Sequence, residues 1–266
     1  MLKYIKEFAN HTAYQSAESS LDKPNVSLCV QEDEVHYNPW VDNRLIATFN
    51  ITSTSNPTTI MYSGSISQFT EIEIDGIVQP SVVSSYTFDT LGEHTVKYTL
   101  LDPTSIGESA FVGCDYSLTS ITIPDSVTNI GNYAFQNCRR LTNITIPDSV
   151  TSIGSSAFNY CTSFTSITIP SSVTSIGGHA FQYCYNSTSL TIGNGITSIG
   201  DYAFQGCSVL TSVTVEAQNP PTLGSGIFGN NASGRKIYVP AESVNAYKAA
   251  SGWSSYVSDI EAIPTT

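Results

Sequence analysis

The sequence predicts a mainly β repeat solenoid with about six rungs of 23 residues, a small β-rich N-terminal unit and a short helical C-terminal cap. One motif recurs at a nearly constant spacing through the second half of the chain. Each copy, called a rung below, carries apolar residues at the spacing of a short strand with one buried face. Before residue 100 apolar and polar residues alternate as they do in strands, but the repeat is absent. This difference indicates a domain boundary near residue 100.

The repeating motif is L-T-x-I-T-I-P-x-S-V-T-x-I-G-x-x-A-F-x-x-C, and its Ile-Gly pair recurs at spacings of 24, 23, 23 and 23 residues. The isoleucines of that pair are Ile106, Ile130, Ile153, Ile176 and Ile199, and the phenylalanines of the Ala-Phe pair are Phe111, Phe135, Phe158, Phe181 and Phe204. A degenerate sixth copy has Leu223-Gly224 and Ile227-Phe228 in the matching places. Because one rung cannot bury its own apolar face, the rungs must stack on one another.

Each rung contains a short predicted strand with the spacing L-x-x-I-x-I, as in Leu118, Ile121 and Ile123. This spacing and the 23-residue period are typical of leucine-rich repeats. Proline follows three of the strands and is expected to end them, because it cannot donate to a strand ladder. The glycine of the Ile-Gly pair predicts either a turn with positive φ or a close approach of neighbouring backbone. These glycines are Gly131, Gly154, Gly177 and Gly200.

Five of the six cysteines occupy the same position in successive rungs. They are Cys114, Cys138, Cys161, Cys184 and Cys207. We expect a structural ladder of inward thiols, because free cysteine behaves as a small buried apolar residue. Their odd number and equal spacing do not favour disulfides, and the sequence lacks the closely spaced cysteine pair of a zinc site. No metal and no cofactor are expected.

Catalysis and nucleic-acid binding are both disfavoured by the sequence. It contains no nucleophile elbow, metalloprotease helix motif or phosphate-binding glycine loop, so we expect no catalytic residues and no enzyme activity. The formal charge of −12 and only ten basic residues argue against phosphate-rich partners. No stretch approaches the roughly 18 apolar residues of a membrane span.

The outward positions of the predicted strands carry hydroxyl groups and form the candidate ligand-binding set. These positions are Ser120, Thr122, Asn143, Thr145, Ser166, Thr168, Ser189, Thr191, Thr214 and Tyr238. One interpretation is that the array has no binding role, because threonine is a good strand former and keeps an uncharged strand soluble. The alternatives are a hydroxyl surface for glycans or a protein partner, and an ice-binding array. Tyrosines at Tyr133, Tyr160, Tyr183, Tyr185 and Tyr202 offer a rival patch, since aromatic faces anchor interfaces.

Four segments are expected along the chain. Residues 1–44 form an anchoring segment with a helix at Lys3–Ala17 and an extended acidic stretch at Pro24–Trp40. Residues 45–100 form a small β-rich domain that caps the first rung, with strands at 45–52, 58–63, 69–75, 81–89 and 93–101. Residues 101–240 form the solenoid. Residues 241–266 form the C-terminal cap, in which a helix at Ala241–Ala250 is followed by Trp253 and Tyr256 over the open end.

The segment IPDSVTNIGNYAFQNC and its copies closely resemble the BspA-like subclass of leucine-rich repeats, common in surface proteins of gut Bacteroides. The tail IYVPAESVNAYKAASGWSSYVSDI resembles the terminal unit of that family. The resemblance implies a non-catalytic scaffold that binds host-surface or mucus glycan or protein.

The segment KYIKEFANHTAYQ…PNVSLC…EDEVHYNP resembles a leader of structural proteins from bacteriophages that infect gut Bacteroides. This resemblance implies display on the virion surface, as a head or tail-fibre component anchored to other virion proteins. A fibre role implies a homo-oligomer, most plausibly a trimer. The N-terminus shows no secretion signal, which fits release by lysis. The alternative is a bacterial cell-surface adhesin.

Overall fold

The computed structural model describes residues 27–31, 34–38 and 43–264, so the helix expected at Lys3–Ala17 lies outside the described residues. The chain divides into two compact units, residues 1–43 and 44–266. In the first unit, strands β1 (Ser27–Gln31) and β2 (Glu34–Asn38) pair as an antiparallel hairpin. Both strands fall inside the stretch that was expected to be extended.

The second unit begins with antiparallel strands. They are β3 (Arg44–Ile51), β4 (Thr58–Thr59), β5 (Phe69–Ile74), β6 (Ile77–Val78), β7 (Ser85–Tyr86) and β8 (Gly92–Leu100), with a 3₁₀ helix at Ser63–Gln68. Strands β3, β8, β5 and β6 lie side by side in one sheet, and β4 pairs with β7 apart from it. The strands expected at 58–63 and 81–89 are reduced to two residues each. One reason is that Ile60 and Met61 are both fully buried, which the alternation of a strand does not allow.

The solenoid that follows confirms the predicted fold, with two strands in each rung. The longer strands are β10 (Leu118–Thr122), β12 (Asn143–Thr145), β14 (Ser166–Ile169), β16 (Ser189–Ile192), β18 (Ser212–Val215) and β20 (Lys236–Val239). The shorter strands are β9 (Ser105–Ile106), β11 (Asn129–Ile130), β13 (Ser152–Ile153), β15 (Ser175–Ile176), β17 (Ser198–Ile199) and β19 (Thr222–Leu223). The shorter strands form one continuous parallel sheet.

The longer strands form what we call the strand face, which begins as a continuation of the N-terminal sheet. Strand β10 pairs antiparallel with β3 on one side and parallel with β12 on the other. The ring of Tyr98, from β8, packs edge-on against Phe111 of the first rung with a centroid distance of 5.2 Å. The N-terminal sheet therefore covers the first rung through both hydrogen bonds and ring packing.

A column of stacked phenylalanines runs along the core, one from each rung. Its members are Phe111, Phe135, Phe158, Phe181, Phe204 and Phe228. Neighbouring ring centroids are between 5.0 and 5.9 Å apart, and the rings are within 17° of parallel. Tyr256 closes the far end by packing edge-on against Phe228 at 5.4 Å. Successive rungs thus place the same ring in the same pocket.

The rung cysteines form a second buried column. All five are fully buried and free of disulfide bonds. The Cys138 thiol donates to the Phe111 carbonyl oxygen at 3.2 Å, Cys161 donates to Phe135 in the same way, and the next two rungs repeat the contact. Burial raises the pKa of the thiols of Cys114, Cys138, Cys161 and Cys184 well above the usual value. These cysteines are packing groups that also satisfy carbonyl oxygens of the core.

The C-terminal cap contains one strand more than the sequence indicated. Strand β21 (Ile260–Ala262) pairs parallel with β20, so the strand ending at Val239 is not the last. The expected helix is divided into a 3₁₀ turn at Ala241–Ser243 and α1 (Val244–Ala249), and a 3₁₀ turn at Trp253–Tyr256 follows. Trp253 is fully buried and its Nε1 donates to the Pro221 carbonyl oxygen at 2.8 Å.

The glycine of each Ile-Gly pair has a normal φ, and its role is to allow close approach. A Cβ added at Gly177 would lie 2.5 Å from the backbone nitrogen of Ser155 in the preceding rung. Positive φ falls instead on the residue before each Ala-Phe pair, as in Tyr133 at 57° and His179 at 58°. The amide of Tyr133 thereby donates to Ser155 of the next rung at 2.9 Å. Serine, tyrosine and histidine all adopt positive φ at this position, because the inter-rung hydrogen bond requires that conformation.

The close approach predicts that Gly177→Ala destabilises the solenoid, because the new methyl group must push two backbones apart. We expect a loss of about 1–3 kcal/mol in the free energy of unfolding, measured in urea. The control is Gly178→Ala, where the added Cβ meets its nearest atom at 3.3 Å. The control should stay within about 1 kcal/mol of the parent. Equal stability of the two variants would contradict the close-approach role.

Burial of the cysteine column predicts that five of the six thiols react slowly with an alkylating reagent. The thiolate is the reactive form. A raised pKa lowers the fraction of thiolate at any pH below that pKa, and exclusion of water keeps the reagent away from the thiol. At about pH 8 we expect the native protein to react about two orders of magnitude more slowly than the protein in urea. Mass spectrometry of the alkylated peptides identifies the slow thiols. Rapid labelling of Cys161 in the native protein would place this column on the surface.

Candidate binding face of the solenoid

The described residues hold no arrangement typical of a metal centre. Among residues 27–31, 34–38 and 43–264, no group of three or more His, Cys, Asp or Glu side chains could hold a metal ion. Over the same residues, no helix is both long enough and apolar enough to cross a lipid bilayer. Two features of the described residues are candidates for recognition, the strand face and the tyrosine patch.

The strand face brings the predicted hydroxyl residues into two parallel columns. Ser166, Ser189 and Ser212 are paired in register, and so are Thr168, Thr191, Thr214 and Tyr238. On the other part of the face Ser120 pairs with Asn143, and Thr122 pairs with Thr145. Thr122, Thr145, Thr168 and Ser166 are exposed, while Ser120, Ser189, Thr191, Ser212, Thr214 and Tyr238 are half-buried. The side chain of Asn143 lies outside the described atoms.

The hydroxyls of this face differ from those of the neighbouring threonine columns. Along the edge of the shorter strands, Thr151 Oγ1 donates to the Thr128 carbonyl oxygen at 3.1 Å, and Thr174 donates to Thr151 at the same distance. In the part of the chain that the structure describes, the hydroxyls of the strand-face threonines make no such bond. The threonines of the face are Thr122, Thr145, Thr168, Thr191 and Thr214. Their donors and acceptors are thus available to a ligand.

The strand face is interrupted between the second and third rungs. Strands β12 and β14 belong to different sheets, although the shorter strands of the same rungs, β13 and β15, remain paired. The amides of Thr142, Thr188 and Thr211 each donate to the matching threonine of the preceding rung. Among the described residues, the amide of Thr165 makes no equivalent bond to Thr142. The edges of β12 and β14 are therefore not joined by a ladder at this point.

A cleft of about 490 Å³ opens at this interruption. Its walls are Thr142, Ile144, Thr145, Ile146 and Asp148 on one side and Phe164, Ser166, Ile167, Thr168, Ile169, Pro170 and Ser171 on the other, with Phe181, Thr191, Gly193 and Glu216 completing it. Ile144 is half-buried, whereas Ile121 and Ile167 at the same rung position are buried. The cleft thus has apolar walls, a hydroxyl rim and two carboxylates. Its volume is within the range of small-ligand sites.

This cleft was not predicted, although one residue of the repeat indicates it. The first strand position of the motif is leucine in Leu118, Leu141 and Leu210, and phenylalanine only in Phe164. Phe164 lines the cleft. A larger side chain in one copy of a repeated core position is a reason to expect that neighbouring rungs separate locally there.

The rival tyrosine patch is partly assembled. Tyr160, Tyr183 and Tyr185 pack together, with ring centroids 4.6 Å apart for the first pair and 5.7 Å for the second. Partial loss of water contact, and then the neighbouring phenols, raises the pKa of Tyr185. The Arg139 guanidinium lies 6.0 Å from the Tyr160 ring centroid. Tyr202 stacks on His179 at 5.2 Å instead of joining this cluster.

No curated protein matches the chain at a significant level. Among solved structures, a leucine-rich repeat protein from Bacteroides ovatus is 23% identical, covering 58% of this chain and 61% of its own, with a TM-score of 0.36. A leucine-rich cell surface protein from Faecalibacterium prausnitzii is 31% identical, covering 56% of this chain and 39% of its own, with a TM-score of 0.41. The chain thus spans less than two thirds of either protein.

The leucine-rich repeat protein TpLRR from T. pallidum is 25% identical, covering 60% of this chain and 80% of its own, with a TM-score of 0.40. The family comparison is more extensive. Residues 104–248 match the BspA type leucine-rich repeat region in six copies, which is more than half of the chain. This match agrees with the rungs and the stacked phenylalanines described above. The chain belongs to the BspA-type leucine-rich repeat family.

Proposed function

We propose that this chain is a non-catalytic binding protein displayed outside the cell, and that its strand face contacts glycan or protein on a host or mucus surface. The observation that carries the proposal is the set of strand-face hydroxyls without a partner in the described structure. Family membership supports it, because leucine-rich repeats are typically binding scaffolds.

The arrangement of the face suits recognition by many weak contacts. Paired strands are about 4.8 Å apart, so threonines in register present hydroxyls at that repeat. Thr145 and Thr168 are exposed and uncharged, which lowers the cost of removing their water when a polar ligand binds. Each hydrogen bond to a neutral group contributes only about 1 kcal/mol net, so affinity requires several at once. Several adjacent rungs together supply these hydrogen bonds.

The proposal predicts that lysine at Thr145, Thr168 and Thr191 together abolishes binding on an array of glycans and mucins. The long charged side chains cover the hydroxyls and the cleft. We expect a loss of at least about tenfold in affinity, corresponding to about 1.4 kcal/mol. The control carries lysine at Thr128, Thr151 and Thr174, which are exposed along the edge of the shorter strands. Far-UV circular dichroism checks that both variants fold.

Retained binding in the strand-face variant would contradict the proposal. A loss confined to a variant with serine at Tyr160 and Tyr183 would instead assign recognition to the tyrosine patch. Binding by neither the parent nor any variant to the glycan or mucin array would exclude a glycan ligand under these conditions.

For the location we propose the surface of a bacteriophage particle, with residues 1–44 anchoring the chain to other virion proteins. The support is the resemblance of the N-terminal segment to phage structural proteins. The alternative is the bacterial cell surface, which family membership supports. In the virion arrangement the solenoid is displayed outward, and a fibre role makes a self-assembled trimer the expected assembly.

Protein mass spectrometry of purified virions and of bacterial envelopes distinguishes the two locations. The virion proposal predicts peptides of this chain in purified particles and their absence from envelopes of uninfected cells. Deleting residues 1–44 should release the chain from the particle without changing its glycan binding. Presence in envelopes of phage-free cells would support the adhesin instead. Light scattering showing only monomer for the isolated full chain would contradict a self-assembled trimer.

A further inference from the structure

We propose that the cleft between β12 and β14 is the ligand site of the solenoid, that it takes a terminal neutral sugar ring, and that Phe164 keeps it open. This inference rests on the glycan-binding function proposed above, and it replaces a diffuse surface with one position and one class of ligand. Three features carry it: the closed ends of the cleft, the chemistry of its walls and the side chain at its base.

The cleft is closed at both ends by hydrogen bonds between the same two rungs. Before it, Ser163 Oγ donates to the Arg139 carbonyl oxygen at 2.6 Å. After it, the Thr174 amide donates to the Thr151 carbonyl oxygen at 2.8 Å. Between these points the rungs separate on the strand face only. The opening is a local pocket in an otherwise continuous solenoid.

Two groups beside the cleft lack the partners that their counterparts have in other rungs. Ser149 Oγ donates to the Val127 carbonyl oxygen at 2.7 Å, but the buried Oγ of Ser172, one rung later, has no hydrogen-bond partner. The amide of Thr165 makes no bond to Thr142 within the described chain. Neither residue lines the cleft, so these missing bonds mark where the contact between the two rungs is interrupted.

The closed ends favour a compact ligand over a peptide strand. A peptide added to a free strand edge continues beyond that edge at both ends. Here the bonds of Ser163 and Thr174 block that path. A sugar at the end of a glycan chain enters from the open side and needs no such path.

The walls indicate a neutral sugar. Ile144, which is half-buried, presents apolar surface to the C–H groups of a ring, and Thr145 and Thr168 offer hydroxyls at the rim. Asp148 and Glu216 supply carboxylate acceptors, and the lining contains no lysine or arginine. Carboxylates accept hydrogen bonds from sugar hydroxyls and repel anionic groups. Sialylated and sulfated sugars are therefore disfavoured.

Phe164 accounts for the opening by its size and by the asymmetry of its neighbours. On the β16 side, the matching residue is the small Ser187, fully buried, whose Oγ donates to the Phe164 carbonyl oxygen at 3.0 Å. On the β12 side, the matching residue is the full-sized and fully buried Leu141. Because a packed core does not absorb added volume, the larger ring displaces the strand on the side with no compensating small residue. That strand is β12.

The test is Phe164→Leu, which places in the third rung the residue found at this position in three other rungs. We expect the ladder to close, so the Thr165 amide, unprotected in the parent, should exchange with deuterium at least about tenfold more slowly. The amides of Thr142 and Thr188 are controls that should be protected in both proteins. Affinity for neutral-terminated glycans on an array should fall at least about tenfold in the same variant.

A second pair of variants tests the rim hydroxyls of the cleft. Valine at Thr145 and Thr168 removes two of them while keeping side-chain shape, and should weaken neutral-glycan binding. Valine at Thr128 and Thr151, which are exposed on the edge of the shorter strands and do not line the cleft, should leave binding unchanged.

The outcomes distinguish this inference from the proposed function. If the Thr165 amide of the parent is as protected as that of Thr188, there is no cleft in solution and the inference is wrong. If Phe164→Leu slows exchange but neutral glycans still bind, the ligand lies elsewhere on the strand face and only the cleft proposal fails. Binding restricted to sialylated glycans, sulfated glycans or extended peptides would overturn the ligand class.

Discussion

The structure depends on the hydrogen bonds that join the backbone of each rung to the next, because they require the same close spacing at every point around the turn. Residues at the same position of successive rungs therefore stack on one another. The phenylalanine rings repeat at 5.0 to 5.9 Å, and the thiols reach the carbonyl oxygens of the preceding rung. Gly177 is needed where even a methyl group would separate the backbones. Residues in each column are consequently interdependent along the solenoid axis.

The same constraint explains why the proposed ligand site lies where it does. A continuous ladder offers a ligand only its outward side chains, since the backbone groups are paired with one another. At the step from Leu141 to Phe164 the ladder is interrupted on one face and maintained on the other. In the proposed arrangement, one larger side chain opens a pocket in what is otherwise a structural surface.

The sequence predicted the solenoid well because the repeat reports rung geometry many times over. It predicted less where a single residue acts through its neighbours. The effect of Phe164 depends on Ser187, 23 residues later, and no local pattern connects the two. Positive φ at Tyr133 is invisible in sequence because tyrosine has no preference for that conformation. Strand β21 was missed because it lies outside the repeat, so no recurring motif marks it.

The two rings that end the phenylalanine column also affect what happens between molecules. An uncapped solenoid presents at each end the same surface that binds its next rung, so identical molecules would join into fibres of undefined length. Tyr98 and Tyr256 stand nearly perpendicular to the column, at 81° and 77° to the terminal rings, and no parallel ring can be added over them. The stacked column therefore ends in a perpendicular ring on each side, and this arrangement disfavours end-to-end joining of molecules through that column.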